Sequence, residues 1–355
     1  MTPRTERHSA MHRFVQSALQ RSDIELSSAS ADASFRSYWR VGGDGAATHA
    51  ATAVVMDAPP DKEDLGPWLD IDRRLREAGL HAPEVIAVER DHGFVLMEDL
   101  GTRTYLPELT SKSVDALYAD ALDALLRMQT AVDVAGLPDY SRQRLIDEMQ
   151  LMPAWFLERH LGHPVSSAEQ DVIAAAFTAL VEAAAEQPRA FVHRDFHSRN
   201  LLVIERDEAP AGTRLLVNPG IVDFQDAVVG PLTYDLVSLL RDCYIEWDPE
   251  HVAGWVEAYR IRLQAAHLLG PEVGTAQMTR WFDLMGLQRH LKVLGIFCRL
   301  WYRDGKPQYL NDLALVWRYA IGTARRYPET GELADLLERA LGDSDIRRPR
   351  GSAAG

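Results

Sequence analysis

The strongest constraint on the fold is a change in hydrophobic patterning about a third of the way along the 355-residue chain. Before about Ser111, a short amphipathic helix near residues 9–20 precedes β-rich apolar runs and one further stretch with helical spacing, in the order strand, strand, strand, helix, strand, strand. After it, apolar residues recur at three- and four-residue steps through long segments such as residues 142–162. The pattern predicts an α+β protein in which an antiparallel sheet precedes a mainly helical region.

This change of pattern predicts two lobes and a tail. We expect a small lobe over residues 1–101, a larger helical lobe over residues 102–342 and a disordered basic tail over residues 343–355. The chain is long enough for two such lobes with sizeable cores, because single domains usually run to about 100–200 residues.

Composition excludes several functional classes. A formal net charge of −14 argues against a nucleic-acid or anionic-membrane surface, because both need basic patches. No stretch approaches 18 consecutive apolar residues and the N-terminus lacks a signal-like apolar run, so we expect a cytoplasmic protein that is a monomer or weak oligomer. Cys243 and Cys298 lie in apolar helical patterns, which indicates buried thiols and neither a disulfide framework nor a cysteine metal site.

Two short polar motifs follow apolar β-rich runs in the second half of the chain. The first, "HRDFHSRN", fits the kinase catalytic-loop pattern H-R-D-x-x-x-x-N at His193, Arg194, Asp195 and Asn200. The second, "IVDF", places Asp223 28 residues after Asp195. Either motif alone would more often mark a turn or a surface loop, but their joint occurrence after a strand-rich lobe favours a functional site.

These residue types suit phosphoryl transfer. That reaction needs a positioned acceptor hydroxyl, a group that accepts its proton, and a triphosphate neutralised by Mg²⁺. Asp195 is the candidate base, Asn200 a neutral oxygen ligand for Mg²⁺, and Asp223 the principal metal carboxylate. The motif pair therefore predicts ATP and Mg²⁺ as cofactors.

The two motifs also carry a family resemblance. The stretches "VHRDFHSRNLL" and "IVDFQDAVVGPLTYDLVSLLRD" resemble the aminoglycoside phosphotransferase superfamily, relatives of protein kinases that phosphorylate small molecules. Within it, residues 22–325 are similar to bacterial anomeric sugar kinases of cell-wall recycling, which act on N-acetylmuramate and N-acetylglucosamine. The resemblance implies a protein-kinase-like two-lobe fold, nucleotide binding by the small lobe, and a sugar hydroxyl as acceptor.

Carried over residue by residue, the resemblance assigns the catalytic aspartate to Asp195, the loop asparagine to Asn200 and the metal aspartate to Asp223. Gln225 stands where protein kinases have the glycine of D-F-G, and "GPLTYDLVSLL" is predicted to enter a helix without an activation segment. A small acceptor is therefore favoured over a protein.

Two further positions are expected to support the loop. Asp235, in the family's "YDL" position, is predicted to anchor the loop by accepting backbone hydrogen bonds, although a first-turn helix role would explain it almost as well. His193, at the start of the motif, is expected to be structural.

Nucleotide binding departs from the kinase pattern. The third strand reads "AVVMDAPP" and lacks the lysine that kinases use to hold the phosphates. Arg36 and Arg40 on the second strand are alternatives, as is Lys62, although each could equally be a surface charge. Backbone groups of Glu98 and Leu100, at the end of the last strand of the lobe, are predicted to contact adenine.

Candidate acceptor contacts come from the helical lobe. Glu148, Arg241 and Arg299 are predicted to bind the sugar, because hydroxyl and N-acetyl groups need hydrogen-bond partners and a lactyl carboxylate favours arginine. Trp155 and Trp301 could stack on the sugar face. Inter-helix ion pairs and core packing are the alternative explanations for these five residues.

Two other functions stay open at this stage. The same fold could act on an aminoglycoside or another amino-alcohol, which the negative charge weakly favours. The missing lysine could instead indicate a non-catalytic nucleotide-binding pseudokinase. The complete set of Asp195, Asn200 and Asp223 argues against the pseudokinase, since a non-catalyst has no chemical need for all three.

Overall fold

The computed structural model describes residues 3–31, 35–42, 53–205 and 216–350. The chain divides into two compact units, each built from separated segments. The first comprises Met1–Arg127 and Arg199–Asp226, and the second Met128–Ser198 and Ala227–Gly355. The boundaries predicted for the lobes differ from these units and stay a prediction.

The first unit contains a five-stranded antiparallel sheet with strand order β1-β2-β3-β6-β5. Its central strand, β3, is the strand that lacks the kinase lysine. The elements in chain order are α1 (Pro3–Leu19), β1 (Glu25–Ala31), β2 (Ser37–Gly42), β3 (Ala53–Asp57), α2 (Leu65–Glu77), β4 (Leu80–His81), β5 (Val85–Glu89), β6 (Phe94–Glu98) and α3 (Tyr105–Glu108). α4 (Val114–Ala131) begins in this unit.

An N-terminal cap and an apolar face explain why α2 forms. The Asp64 side chain caps α2 by accepting a hydrogen bond from the Gly66 N–H group, 2.8 Å away. The helix buries Leu65, Trp68, Ile71 and Leu75, which are the residues at helical spacing in the sequence. The predicted strand–helix–strand order of the small lobe is therefore confirmed.

A second sheet in the first unit positions two motif residues. β8 (Leu201–Leu202) pairs antiparallel with β9 (Leu216–Ile221). Antiparallel pairing brings the residue before one strand close to the residues after the other. Accordingly the Val222 N–H group donates to the Asn200 carbonyl, 3.2 Å away.

The second unit is mainly helical. β7 (Arg189–Val192) and β10 (Val228–Pro231) form an antiparallel pair within it. Its helices are α5 (Arg142–Met149), a π-helix (Met152–His160), α6 (Ser167–Ala185), α7 (Tyr234–Leu240), α8 (Pro249–Ala265), α9 (Thr275–Asp304), a 3₁₀ helix (Pro307–Asp312), α10 (Leu313–Ala324) and α11 (Pro328–Leu341). Within the described ranges, no helix has the length and apolar character needed to cross a membrane.

Two segments of this unit differ from the sequence prediction. Residues 142–162, predicted as one helical segment, form α5 and then a π-helix, and Pro153 in the first turn of the π-helix has no N–H group to continue the ladder of α5. Residues 343–350, expected to belong to a disordered tail, pack through the buried Ile346. The Ile346 carbonyl accepts from His160 Nε2 at 2.6 Å, whereas residues 351–355 lie outside the described ranges.

A substitution at Gly295 tests how closely α9 packs against Leu151, the residue before the π-helix. A Cβ atom at Gly295 would overlap the carbonyl group of Leu151, so we expect Gly295→Ala to destabilise the protein by about 3 kcal/mol. Gly254 in α8 is the matched control, because nothing lies near the Cβ position there and alanine is the better helix former. Thermal unfolding followed by circular dichroism should show a lower midpoint for the first variant only. Equal midpoints would contradict the close contact.

Candidate active site

A buried carboxylate in the second unit holds the first half of the catalytic-loop motif through hydrogen bonds from its backbone. Asp235, in the first turn of α7, accepts hydrogen bonds from the backbone N–H groups of His193 at 2.6 Å and Arg194 at 3.0 Å. His193 and Asp235 are fully buried. The hydrogen bonds expected of Asp235 are therefore present, and burial raises its pKa to about 7 against the opposing effect of these two donors.

Arg194 adopts a backbone conformation that few side chains favour. Its φ angle is +78°, in the left-handed region, which costs a residue with a Cβ atom about 1 kcal/mol or more. Its N–H group is held by Asp235, and its carbonyl accepts from Arg289 Nη1 at 2.9 Å. These bonds hold the backbone on both sides of Arg194 and thereby restrain the turn that carries Asp195.

Asp195 is an ionised carboxylate in cationic surroundings. Its side chain is 40% exposed, and its Oδ1 atom lies 3.9 Å from Arg289 Nη1. Burial would raise its pKa, but the charges of Arg289 and Lys292 hold the pKa at about 2. At neutral pH the group is therefore ionised and able to accept a hydrogen bond.

Glu148 lies in an ion-pair network beside this loop. Its carboxylate contacts Arg194 Nη2, lies 3.1 Å from Lys292 Nζ, and accepts from the Tyr140 hydroxyl. Burial would raise its pKa, but Lys292 and Arg194 hold the pKa below its ordinary value. Of the two explanations offered by the sequence, the inter-helix ion pair is the one with observed contacts. Substrate binding by Glu148 stays a prediction.

Arg241 is also engaged within the second unit. Its Nη2 atom lies 2.5 Å from Asp283 Oδ1, and Asp283 is fully buried. The other oxygen of Asp283 accepts from Arg326 at 2.6 Å and from Tyr327 at 2.8 Å. Arg241 therefore compensates a buried carboxylate, which is sufficient to explain its presence.

Arg299 differs from these two residues. It is partly buried in α9, and within the described part of the chain no hydrogen bond or ion pair joins it to a carboxylate. Trp155 and Trp301, predicted as possible stacking platforms, are partly exposed and do not belong to the buried core.

The remaining motif residues meet in the first unit. Asn200 Nδ2 donates to Asp223 Oδ2 at 3.1 Å, and Gln225 Nε2 donates to Asp223 Oδ1 at 2.8 Å. The φ angle of Asp223 is +64°, a left-handed conformation that aspartate tolerates better than most residues. Asn200 and Asp223, predicted to share a metal ion, are thus direct neighbours.

This pair suits a magnesium ion that is bound partly by phosphate. Its atoms include carboxylate and amide oxygens, the hard ligands that Mg²⁺ prefers. Among the described residues, no group of three or more His, Cys, Asp or Glu side chains is placed to hold a metal. One carboxylate and one amide are nevertheless enough where substrate phosphates and water supply the other ligands.

The cations proposed to replace the kinase lysine have partners within the first unit. Arg36 pairs with Glu63 at 3.0 Å, and Arg40 makes two bonds to Asp99 at 2.5 and 3.0 Å. Lys62 Nζ lies 4.6 Å from the centre of the Phe35 ring. Contact between any of these cations and a phosphate stays a prediction.

In the predicted adenine-binding segment, some polar groups are already hydrogen-bonded within the protein. The Glu98 N–H group already donates to the Glu84 carbonyl at 2.8 Å, and its carboxylate lies 3.0 Å from His81 Nε2. An adenine contact by Glu98 would therefore use its carbonyl, with Leu100 as the other candidate.

A comparison with family models identifies the chain. Residues 25–269 match the model described as the phosphotransferase enzyme family. The chain belongs to the phosphotransferase enzyme family. Among solved structures, this phosphotransferase is similar to a choline kinase from Cryptosporidium parvum Iowa II, with a TM-score of 0.56 at 12% identity over 90% of this chain and 92% of that one.

Other comparisons agree with this assignment. A streptomycin–ATP ternary complex of APH(2″)-IIa is similar with a TM-score of 0.53 at 15% identity, over 80% of this chain and 89% of that one. These likenesses confirm the predicted protein-kinase-like fold. Two relatives named N-acetylmuramate/N-acetylglucosamine kinase are 43% identical (Pseudomonas aeruginosa PAO1, 88% of each chain) and 40% identical (Pseudomonas putida KT2440, 88% of this chain and 87% of the relative).

Sequence analysis of the phosphotransferase missed two residues that bond the loop and one that lies beside it. Arg289 in α9 donates to the Arg194 carbonyl, and Asp242 accepts from the Ser198 N–H group at 3.0 Å. Lys292, also in α9, pairs with Glu148. For Arg289 and Lys292 one available signal was "QRHLKVLG", in which charged residues stand among the apolar residues of a helical segment. Their partners lie far away in sequence, so the pairing itself had no local signal.

The Glu148→Gln variant tests whether the ion pairs of this side chain stabilise the fold. The variant leaves Lys292 and Arg194 without their shared carboxylate, and we expect a loss of about 3 kcal/mol in stability at pH 7. Because the folded pKa of Glu148 is lowered, its contribution is full above its unfolded value of about 4.5 and is lost as the pH falls through the folded value. The gap in thermal midpoint between the two proteins should therefore narrow below about pH 4.5.

The exposed neighbour Asp147 in the same helix is the control. Asp147→Asn should leave the midpoint nearly unchanged at every pH. If Glu148→Gln behaves in the same way, the ion-pair network contributes nothing to folding.

Proposed function

We propose that this phosphotransferase is an ATP-dependent kinase that phosphorylates the anomeric hydroxyl of N-acetylmuramate and N-acetylglucosamine. The observation that carries the proposal is the 40–43% identity, over 88% of this chain, to two kinases with that name. Cytoplasmic action in cell-wall recycling, where ATP is available, is part of the proposal. Neither an amino-alcohol acceptor nor a non-catalytic role is favoured by these relatives.

Asp195 is proposed as the catalytic base. As the hydroxyl oxygen of the sugar forms its bond to the γ-phosphorus of ATP, its proton passes to the Asp195 carboxylate, the bond from that phosphorus to the bridging oxygen breaks, and ADP leaves. The pKa of about 2 makes Asp195 a weak base, so its main contribution before the transition state is to orient the hydroxyl. Proton transfer becomes favourable as the hydroxyl is converted to a phosphate ester.

Asn200 and Asp223 would hold Mg²⁺ through their side-chain oxygens. When bound, the ion neutralises charge on the phosphates. Gln225 donates to Asp223 and thereby limits rotation of its carboxylate. Of the proposed nucleotide ligands, Arg40 has a planar guanidinium group suited to phosphate, but binding would compete with its two bonds to Asp99.

Release of ADP in a coupled assay tests the proposed substrates. We expect sugar-dependent release with N-acetylmuramate and with N-acetylglucosamine, and none when Mg²⁺ is removed by a chelator. An aminoglycoside and choline should be inactive in the same assay. Turnover with either of these and with neither sugar would contradict the substrate assignment, whereas ATP binding without turnover of any acceptor would indicate a pseudokinase.

Asp195→Asn tests the base. The substitution keeps the size of the side chain but removes its ability to accept the proton, and we expect kcat to fall about 10²- to 10⁴-fold. Asp171→Asn on the exposed face of α6 removes a carboxylate elsewhere and should retain full activity. An unchanged kcat in Asp195→Asn, at an unchanged thermal midpoint, would remove Asp195 from this role.

A further inference from the structure

Arg299 is a partly buried cation without a counter-charge of its own. Its Nε atom is inaccessible to solvent and has no hydrogen-bond partner among the described residues. Burial and the nearby charge of Arg303 lower the pKa of Arg299. Asp304 opposes this shift, but that carboxylate is held by Arg303 at 2.8 and 2.9 Å. An added anion would therefore stabilise Arg299.

Two other polar groups without partners lie beside it. Tyr302 follows Arg299 by three residues in α9, so the two side chains lie on neighbouring positions of one helix face. The Tyr302 hydroxyl is buried without a hydrogen-bond partner in the described part of the chain. The guanidinium carbon of Arg159, from the π-helix, lies 5.1 Å from the centre of the Tyr302 ring, and among the described residues Arg159 Nε is also buried without a hydrogen-bond partner.

An ordinary surface role does not explain these residues. The chain has 52 acidic and 38 basic side chains, so carboxylates are plentiful, and Arg303 on the same helix is paired with the carboxylate of Asp304. Buried donors without acceptors cost free energy, because their hydrogen bonds to water are lost. Arg159, Arg299 and Tyr302 together offer an anion several donors and two positive charges.

The position of Arg299 relates this cluster to the catalytic loop. Arg299 and Lys292 are seven residues apart in α9, which places them on the same helix face about 10 Å apart along the axis. Lys292 in turn contacts Glu148 and acts on the charge of Asp195.

We propose that Arg299, Arg159 and Tyr302 form a subsite for the carboxylate of an acidic amino sugar. The inference rests on the proposed function and extends it to substrate selection. A carboxylate can accept charge-assisted hydrogen bonds from an arginine and a further bond from the tyrosine hydroxyl. N-acetylmuramate carries such a carboxylate on its lactyl group and N-acetylglucosamine does not, so the subsite favours the acidic sugar.

The test compares the two sugars in the Arg299→Gln variant. We expect kcat/KM for N-acetylmuramate to fall about 10- to 100-fold, mainly through KM, because one charge-assisted interaction is lost. The value for N-acetylglucosamine should stay within about twofold of wild type. Arg280→Gln is the matched control, since it removes a partly exposed arginine that pairs with Glu329 near the start of the same helix, and it should leave both sugars unchanged.

Tyr302→Phe provides a second variant that keeps the ring on which Arg159 packs. It should weaken N-acetylmuramate alone, by less than Arg299→Gln, and its thermal midpoint should equal that of the wild type. This variant keeps the inference testable if Arg299→Gln fails to fold.

The outcomes separate this inference from the proposed function. Equal losses for both sugars in Arg299→Gln, or no loss for either, would overturn the subsite while leaving the kinase activity intact. Phosphate inhibition of N-acetylglucosamine turnover that disappears in Arg299→Gln, without a selective loss for N-acetylmuramate, would show a site for free anions and also overturn it. Failure of the wild-type protein to phosphorylate either sugar would contradict the proposed function itself.

Discussion

The catalytic loop depends on one buried carboxylate. Asp235 accepts the N–H groups of His193 and Arg194, and these two bonds hold a left-handed residue that would otherwise relax. A left-handed arginine is unfavourable by itself, so the conformation persists only because the surrounding structure determines it from several sides. Arg289 completes that restraint at the Arg194 carbonyl. The proposed role of Asp195 as the catalytic base depends on this turn, which carries its side chain.

The second requirement is charge compensation around α9. This helix is buried over most of its length and nevertheless carries Arg289 and Lys292 into the interior of its unit. Isolated buried charges are too costly to keep, and here each has oxygen partners: Glu148 and the Tyr234 hydroxyl for Lys292, and the Arg194 carbonyl for Arg289. The same cations keep Asp195 ionised. Loop geometry and the protonation state of the candidate base therefore have a common origin.

The arginines predicted to bind ligands differ in what already satisfies them. Arg36, Arg40 and Arg241 have carboxylate partners in the folded chain, and a ligand at those positions would have to compete with an existing ion pair. Arg299 has no such partner among the described residues, which is why the carboxylate subsite is placed there. Residue type alone made these arginines equivalent. The difference comes from neighbours that are distant in sequence.

Local patterns in the chain were enough to predict the fold class, the order of strands and helices in the small lobe, and the motif residues Asp195, Asn200 and Asp223, because hydrophobic period and motif spacing are local properties. They also indicated that Asp235 could bind backbone N–H groups. Which charges meet depends instead on the folded packing of distant segments: Lys292 lies 144 positions after Glu148, and Arg289 95 positions after Arg194. The folded packing likewise orders the chain around Ile346. Such contacts depend on packing between remote segments, and no local pattern encodes that packing.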